Sequence, residues 1–137
     1  MRLEKGWGAW GLEFRPDFNA VESGMDAFIN WNKDFVGKEA TQAFKDQGVE
    51  RKLVTLTVDT PIDVTLDEAV LVDGEAVGYI TSGSFAHHVE QSMAMAYVAT
   101  PFADAGAKVT VEILGEMHDA VIMGAPAYDP NGGRMRS

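Results

Sequence analysis

Arg51-Lys52-Leu53-Val54-Thr55-Leu56-Thr57-Val58 sets Val54, Leu56 and Val58 against Thr55 and Thr57. Alternation of this kind places one side-chain set on each face of a strand, so this stretch reads as a strand with one apolar face. The same signal recurs downstream. Residues 69–72 and 75–82 flank Asp73-Gly74, a pair that favours a tight hairpin because both residues tolerate positive φ. Residues 92–98 and 108–114 add two strands, and Gly115-Glu116 is read as the turn into residues 117–123. Short strands at this spacing, separated by turn residues, predict an antiparallel barrel or sandwich.

Upstream of Gly48 the pattern changes. Gly6, Gly8 and Gly11 make a long regular helix unfavourable across residues 1–14. Pro16-Asp17 and Asn19 mark a turn. Residues 20–31 are open to two readings: Val21, Met25 and Phe28 have helical spacing, whereas Phe28-Ile29-Asn30-Trp31 could end as a strand. Residues 38–47 read as a helix, with Ala40, Ala43, Phe44 and Gln47 on one face and Gly48 as its C-cap. No internal repeat, low-complexity tract or long charge run interrupts the chain.

Composition narrows the function classes. The 137 residues are 46% hydrophobic, and a chain of that length can bury about two-thirds of its unfolded surface in one compact domain. The absence of cysteine excludes disulfides, thiolate zinc sites and cysteine nucleophiles. No apolar run approaches the roughly 20 residues that span a bilayer, and the N-terminus lacks the sections of a secretion signal. The expectation is a cytoplasmic protein, or one of the mitochondrial matrix in a eukaryote, with no membrane partner. A net charge of −10 argues against nucleic-acid binding. It does not exclude a small anion, since exposed charges are screened beyond about 8 Å at physiological salt.

Two segments carry a family resemblance: Arg2-Leu3-Glu4-Lys5-Gly6, and Asn32-Lys33-Asp34-Phe35-Val36-Gly37-Lys38-Glu39-Ala40. Together they resemble the junction between the folate-binding body and the C-terminal barrel of the glycine cleavage T-protein (aminomethyltransferase) family. Trp10-Gly11 is similar to the tetrahydrofolate domains of dimethylglycine and sarcosine dehydrogenases. Gly78-Tyr79-Ile80-Thr81-Ser82-Gly83-Ser84-Phe85 looks like the family's strand-and-turn signature, and Ser92-Met93-Ala94-Met95-Ala96-Tyr97-Val98 like the strand after it. Pro126-Ala127-Tyr128-Asp129-Pro130, with Arg134-Met135-Arg136, resembles the tails of the dehydrogenase branch.

The resemblance implies an α+β, mainly β fold. Residues 51–137 would form an antiparallel Greek-key barrel of about six strands. Residues 1–50 would be the C-terminal remnant of a folate-binding domain, with its helix near 38–47. The family pattern starts here at Met1 but lies deep inside family members, so the expectation is a C-terminal fragment of a larger enzyme. That enzyme would transfer a one-carbon unit from an amine to tetrahydrofolate. No residue here matches the family's catalytic aspartate, so no catalytic residue is assigned and the chain alone is expected to be inactive. Trp7, Trp10, Phe14, Phe18, Phe28 and Trp31 would be partly exposed unless they fold back or meet a partner. That partner would be the N-terminal folate-binding portion or, through the same aromatics, an oligomer. The alternatives are a non-catalytic barrel that docks on a chain carrying the catalytic half, and a folate-dependent demethylase of the same fold.

For individual residues, the resemblance implies that Glu4 contacts the pterin of tetrahydrofolate, because a carboxylate accepts two hydrogen bonds from adjacent ring N–H and amino donors. Lys33 stands where the glycine-cleavage branch has an arginine contacting the anionic part of folate; a lysine supplies charge there but no planar fork. A flavin would bind only in an upstream domain. Gly6, Gly8 and Gly11 match a dinucleotide-loop spacing but follow no strand and open no helix. His87-His88, with His118 and Glu90, invites a metal reading. Adjacent strand residues point to opposite faces, so an exposed loop pair is expected and no metal. Residues 129–133 read as a turn rather than a calcium loop. Tyr79, Tyr97 and Tyr128 read as barrel or lid residues, Met93, Met95, Met117 and Met123 as packing residues, and Gly78 and Gly83 as a close approach and a tight turn.

Overall fold

The computed structural model describes residues 1–134 and 136, so Met135 in the tail motif lies outside the described residues. Six strands follow one helix, α1 (Lys38–Gln47): β1 (Arg51–Val58), β2 (Ala69–Val72), β3 (Glu75–Ala86), β4 (Gln91–Ala99), β5 (Lys108–Ile113) and β6 (Glu116–Ile122). They form a closed barrel in the order β1-β4-β3-β2-β5-β6, with every pair antiparallel. Strands β2, β3 and β4 make a meander and β5 returns beside β2, which is a Greek key. Pairing of Leu56 with Ile122 and Val58 with Ala120 closes the ring. Closure leaves no free sheet edge.

Alternation builds the interior. Leu56 and Val58 of β1 turn inward with Val70, Ile80, Val111, Ile113 and Ile122. Two tight turns set the register. In the first, Asp73 (φ 51°) and Gly74 (φ 82°) fall as the sequence requires. In the second, the left-handed pair is Leu114 (φ 51°) and Gly115 (φ 87°), and Glu116 already belongs to β6. The turn therefore lies one residue earlier than the sequence reading placed it. Met117 is also displaced from its expected role: it is 59% exposed on β6 rather than packed.

Strand β3 runs to Ala86, so Gly83 makes no turn. It lies where an added Cβ would sit 2.5 Å from the Val64 carbonyl oxygen, which makes it a site of close approach. Gly78 is tighter still, with the Tyr97 carbonyl oxygen 2.2 Å from an added Cβ. Between Ile80 and Ser82 the β3–β4 register shifts by one residue, Ile80 facing Ala96 and Ser82 facing Met95. The extra residue is Thr81.

Strand β4 is buried on both faces: Ala94, Ala96 and Val98 point into the barrel, and Met93, Met95 and Tyr97 are covered from outside. The cover is the N-terminal segment. Leu3 packs on Met93 and Met95, and Phe18 stacks on Tyr97 at a ring separation of 3.7 Å. Residues 20–31 adopt neither of the two readings open to them; they run as turns with a single 3₁₀ turn at Asp26–Phe28. Helix α1 is capped by Gly37 and Gly48, both at positive φ, but none of its residues is buried. Lys45 ties it down, pairing with Asp26 at 3.2 Å and lying over the Trp31 ring. Phe14, Phe18 and Trp31 are half-buried, whereas Trp10 and Phe28 stay more than four-fifths exposed. Among the described residues no helix is long and apolar enough to cross a membrane.

The close approach at Gly78 gives a direct test. Gly78→Ala is expected to destabilise the protein by about 1–3 kcal/mol or more, since the obstruction is backbone and cannot rotate away. Gly133→Ala, whose Cβ would meet only ordinary contact, should change stability by less than ~0.5 kcal/mol. Urea unfolding of the two variants measures the difference.

Candidate functional site

Residues Leu3–Lys5 form one 3₁₀ turn, ended by Gly6 at φ 65°, whose N–H returns to the Leu3 carbonyl. Leu3 is drawn against the outer face of β4, and this pulls Glu4 under cover at 3% exposure. Glu4 Oε1 accepts the backbone N–H of His88 at 2.9 Å. Its Oε2 lies 3.2 Å from the α-ammonium of Met1, and its carbonyl accepts the N–H of Tyr128 at 3.0 Å. Next along, Lys5 Nζ donates to the Asp129 carbonyl at 2.6 Å and pairs with Oδ2 at 3.4 Å. The His88 ring meets Tyr128 edge-on at 4.2 Å. An open cleft of about 540 Å³ results, walled by Glu4, Trp7, His88, Tyr128 and Arg134.

Electrostatics keep this carboxylate charged. The His88 N–H holds Glu4 below its ordinary pKa; burial opposes this, and the α-ammonium adds to the lowering. For Asp129, burial acts upward, but the Gly133 and Arg134 N–H groups and Lys5 outweigh it and hold the group below its usual value. At neutral pH Glu4 is thus an ionised acceptor on a largely apolar wall.

A second carboxylate, which sequence reasoning missed, lies beneath the same loop. Glu13 is fully buried. Its Oε1 accepts the hydroxyls of Thr81 at 2.7 Å and Ser82 at 2.5 Å. Its Oε2 accepts the Ala9 N–H at 2.7 Å and faces Arg2 Nη1 at 3.3 Å. Consecutive strand residues ordinarily point to opposite faces. The bulge at Thr81 is what lets two neighbouring hydroxyls converge on one oxygen. The only sequence signal was an acid set between Leu12 and Phe14, in a loop rich in Gly and Trp.

The N-terminal segment, a strap across the outer face of β4, is fixed further along. Tyr97 donates its hydroxyl proton to the Glu13 carbonyl at 2.9 Å and sits 2.8 Å from Ser23 Oγ. Burial pushes the Tyr97 phenol above its ordinary pKa, so it stays a neutral donor. Glu22 pairs with Arg51 at 3.1 Å, and this bond is the main reason the guanidinium pKa is raised. Of the three tyrosines, Tyr79 lies on β3 and Tyr97 on β4, and Tyr128 lies in the segment after β6.

Lys33 is exposed in the turn closed by its N–H on the Asn30 carbonyl, and it makes no ion pair or hydrogen bond with Glu4. His87 and His88 occupy the exposed turn after β3, and no cluster of three or more metal-ligating side chains occurs among the described residues. His118 lies on β6, with Nδ1 3.3 Å from the Asp59 carbonyl oxygen.

A closed Greek-key barrel, with an N-terminal strap pinned to its outer face and a buried acid at the strap's first turn, defines the class as a closed antiparallel barrel domain. The chain belongs to the family described as the glycine cleavage T-protein C-terminal barrel domain, which matches residues 51–129. It is 41% identical over 129 residues to human mitochondrial dimethylglycine dehydrogenase, covering 92% of this chain and 15% of that protein. It is 38% identical over 130 residues to an aminomethyltransferase of a Picosynechococcus species, covering 93% of this chain and 36% of that protein. The chain therefore spans only a minor part of these relatives. The crystal structure of the glycine cleavage system aminomethyltransferase T from Bartonella henselae superposes with a TM-score of 0.87 at 23% identity, covering 94% of this chain and 37% of that one. This is a likeness of fold.

Because folding lowers the Glu4 pKa, the unfolded chain binds more protons in the acid range. The stabilisation is complete above the ordinary carboxylate value and is lost as pH falls through the folded-state pKa. Glu4→Gln should therefore be less stable than the parent at pH 7, with the gap closing below about pH 4. Denaturant midpoints across that range read the effect.

Proposed function

We propose that this chain is the barrel-bearing C-terminal part of a tetrahydrofolate-dependent enzyme of the aminomethyltransferase or dimethylglycine/sarcosine dehydrogenase type. Such an enzyme moves a one-carbon unit from an amine to tetrahydrofolate. Residues 1–50 complete a folate-binding domain and residues 51–137 form the barrel. The observation that carries this reading is the ionised Glu4 carboxylate, fixed by a backbone N–H on the wall of a cleft bearing Trp7 and Tyr128. A carboxylate has about four acceptor positions, and the bond from His88 together with the contact to the Met1 α-ammonium leaves about two for adjacent ring N–H and amino donors. The aromatic walls suit a flat heterocycle. Lys33, exposed and unpaired with Glu4, supplies positive charge to the anionic end of folate.

The division of labour follows from the residues present. This chain binds and orients, and the reacting groups belong to the rest of the parent enzyme. Catalysis of this kind depends on placing the folate nitrogen beside an electrophilic carbon, so positioning carries much of the rate. The exposed Trp10, Phe28 and Trp7 give the N-terminal folate-binding portion an apolar seat. A flavin belongs to an upstream domain where the parent is a dehydrogenase. Those same exposed aromatics favour a second reading, in which the barrel docks on a separate polypeptide carrying the catalytic half.

The isolated chain is expected to give no methylenetetrahydrofolate from dimethylglycine or an aminomethyl donor, and turnover by it alone would overturn this assignment of roles. In calorimetric titration with 5-formyltetrahydrofolate, Glu4→Gln should weaken binding by about tenfold or more, as for loss of a charge-assisted pair of bonds. Lys33→Ala should weaken it less, and Lys33→Arg should not weaken it.

A further inference from the structure

Glu13 and Glu4 belong to one loop and are joined through one guanidinium. Arg2 Nη1 lies 3.3 Å from Glu13 Oε2 and donates to the Trp7 carbonyl at 3.3 Å. The Arg2 carbonyl accepts the N–H groups of Lys5 at 3.1 Å and Trp7 at 3.0 Å. The backbone of Arg2 is therefore the base of the turn that holds Glu4, and its side chain is the link from that turn to Glu13. Glu13 is in turn immobile: Thr81 and Ser82 fix its carboxylate to the β3 bulge, and Tyr97 fixes its carbonyl to β4.

We infer that Glu13 is a positioning residue that acts through Arg2 to set the turn in which Glu4 accepts the His88 N–H. The assignment of the Glu4 cleft to folate is a separate premise, and only the ligand measurement below rests on it. The charge of Glu13, more than its bulk, is what this role needs. Glutamine at position 13 would keep all but one of the neutral bonds: its amide group can donate to Thr81 Oγ1 and Ser82 Oγ, the Thr81 proton then passes wholly to the Met95 carbonyl, already 3.1 Å away, and the Ser82 proton alone gives up its acceptor. The glutamine oxygen can still accept the Ala9 N–H. Beyond the Ser82 hydroxyl bond, glutamine loses the ionic partner of Arg2, and Arg2→Met removes the same pair with the Ser82 bond intact. A residue that merely fastened the strap to the barrel would tolerate that change.

Backbone hydrogen exchange of the 137-residue chain, read by NMR, separates the two roles. In Glu13→Gln, and independently in Arg2→Met, the His88 N–H should exchange about tenfold faster than in the parent. The Leu53 N–H, bonded to the Glu22 carbonyl at the far end of the strap, and the β5 amides should keep their protection. Unchanged His88 exchange in both variants would overturn the inference. So would equal loss at His88, Leu53 and β5, because that marks Glu13 as general packing. A parallel titration with 5-formyltetrahydrofolate keeps the premises apart. If Glu4→Gln binds as the parent does, the folate reading falls, and the exchange rates still decide the role of Glu13.

Discussion

A carboxylate removed from water must find donors within the protein or give up its charge, and the desolvation cost makes this one of the strictest demands a fold can meet. Glu13 meets it with two hydroxyls, a backbone N–H and a guanidinium, and these come from three separate stretches of chain. The demand propagates. Thr81 and Ser82 serve one oxygen only because β3 carries a bulge there, and Arg2 serves the other only if the first turn folds back over β4. The bulge, the strap and the turn that bears Glu4 are thus mutually required.

Strand β4 supplies the surface on which this is assembled. A strand in a small barrel usually has one wet face, yet β4 is dry on both from Ser92 to Val98. Met93, Met95 and Tyr97 gain their cover from Leu3 and Phe18. The strap is therefore integral to the packing of the barrel, even though the matched family domain begins at residue 51. Helix α1 is the opposite case. Its apolar face, with Phe44 nearly half exposed, packs on nothing comparable within this chain, and one lysine does most of the holding.

This contrast explains what was legible beforehand. The strands were readable because a period of two is imposed by local geometry, and five of the six fell at or near their expected places. The exception in extent was β3, where Thr-Ser-Gly looked like a turn and is a bulged strand continuing to Ala86. Composition does not distinguish a glycine that bends the chain from one that lets Val64 approach. Residues 20–31 were ambiguous because a local side-chain turn and a tertiary contact together override their weak periodicity: Asn19 gathers the N–H groups of Val21 and Glu22, and Glu22 reaches Arg51. Glu13 was invisible for a related reason. In a chain with 21 acidic residues, nothing local marks the one whose partners lie in β3.

Glu4 could be picked out from its neighbours in sequence, but the groups that fix it could not, because they are backbone groups. The N–H of His88 sets its carboxylate and the N–H of Tyr128 sets its carbonyl. A backbone donor works equally well beneath many side chains, so a motif search sees the acceptor and overlooks the donors. The same reasoning applies to charge. A net −10 suggests a surface that repels anions, yet Arg2, Lys5 and Arg134 all lie around one cleft. Glu4 and Asp129 line the same cleft, so its local charge is close to balanced, whatever acids lie more than a screening length away. For a cleft assembled from residues 4, 88 and 128, local geometry is the better guide to its character, and overall composition speaks mainly to solubility.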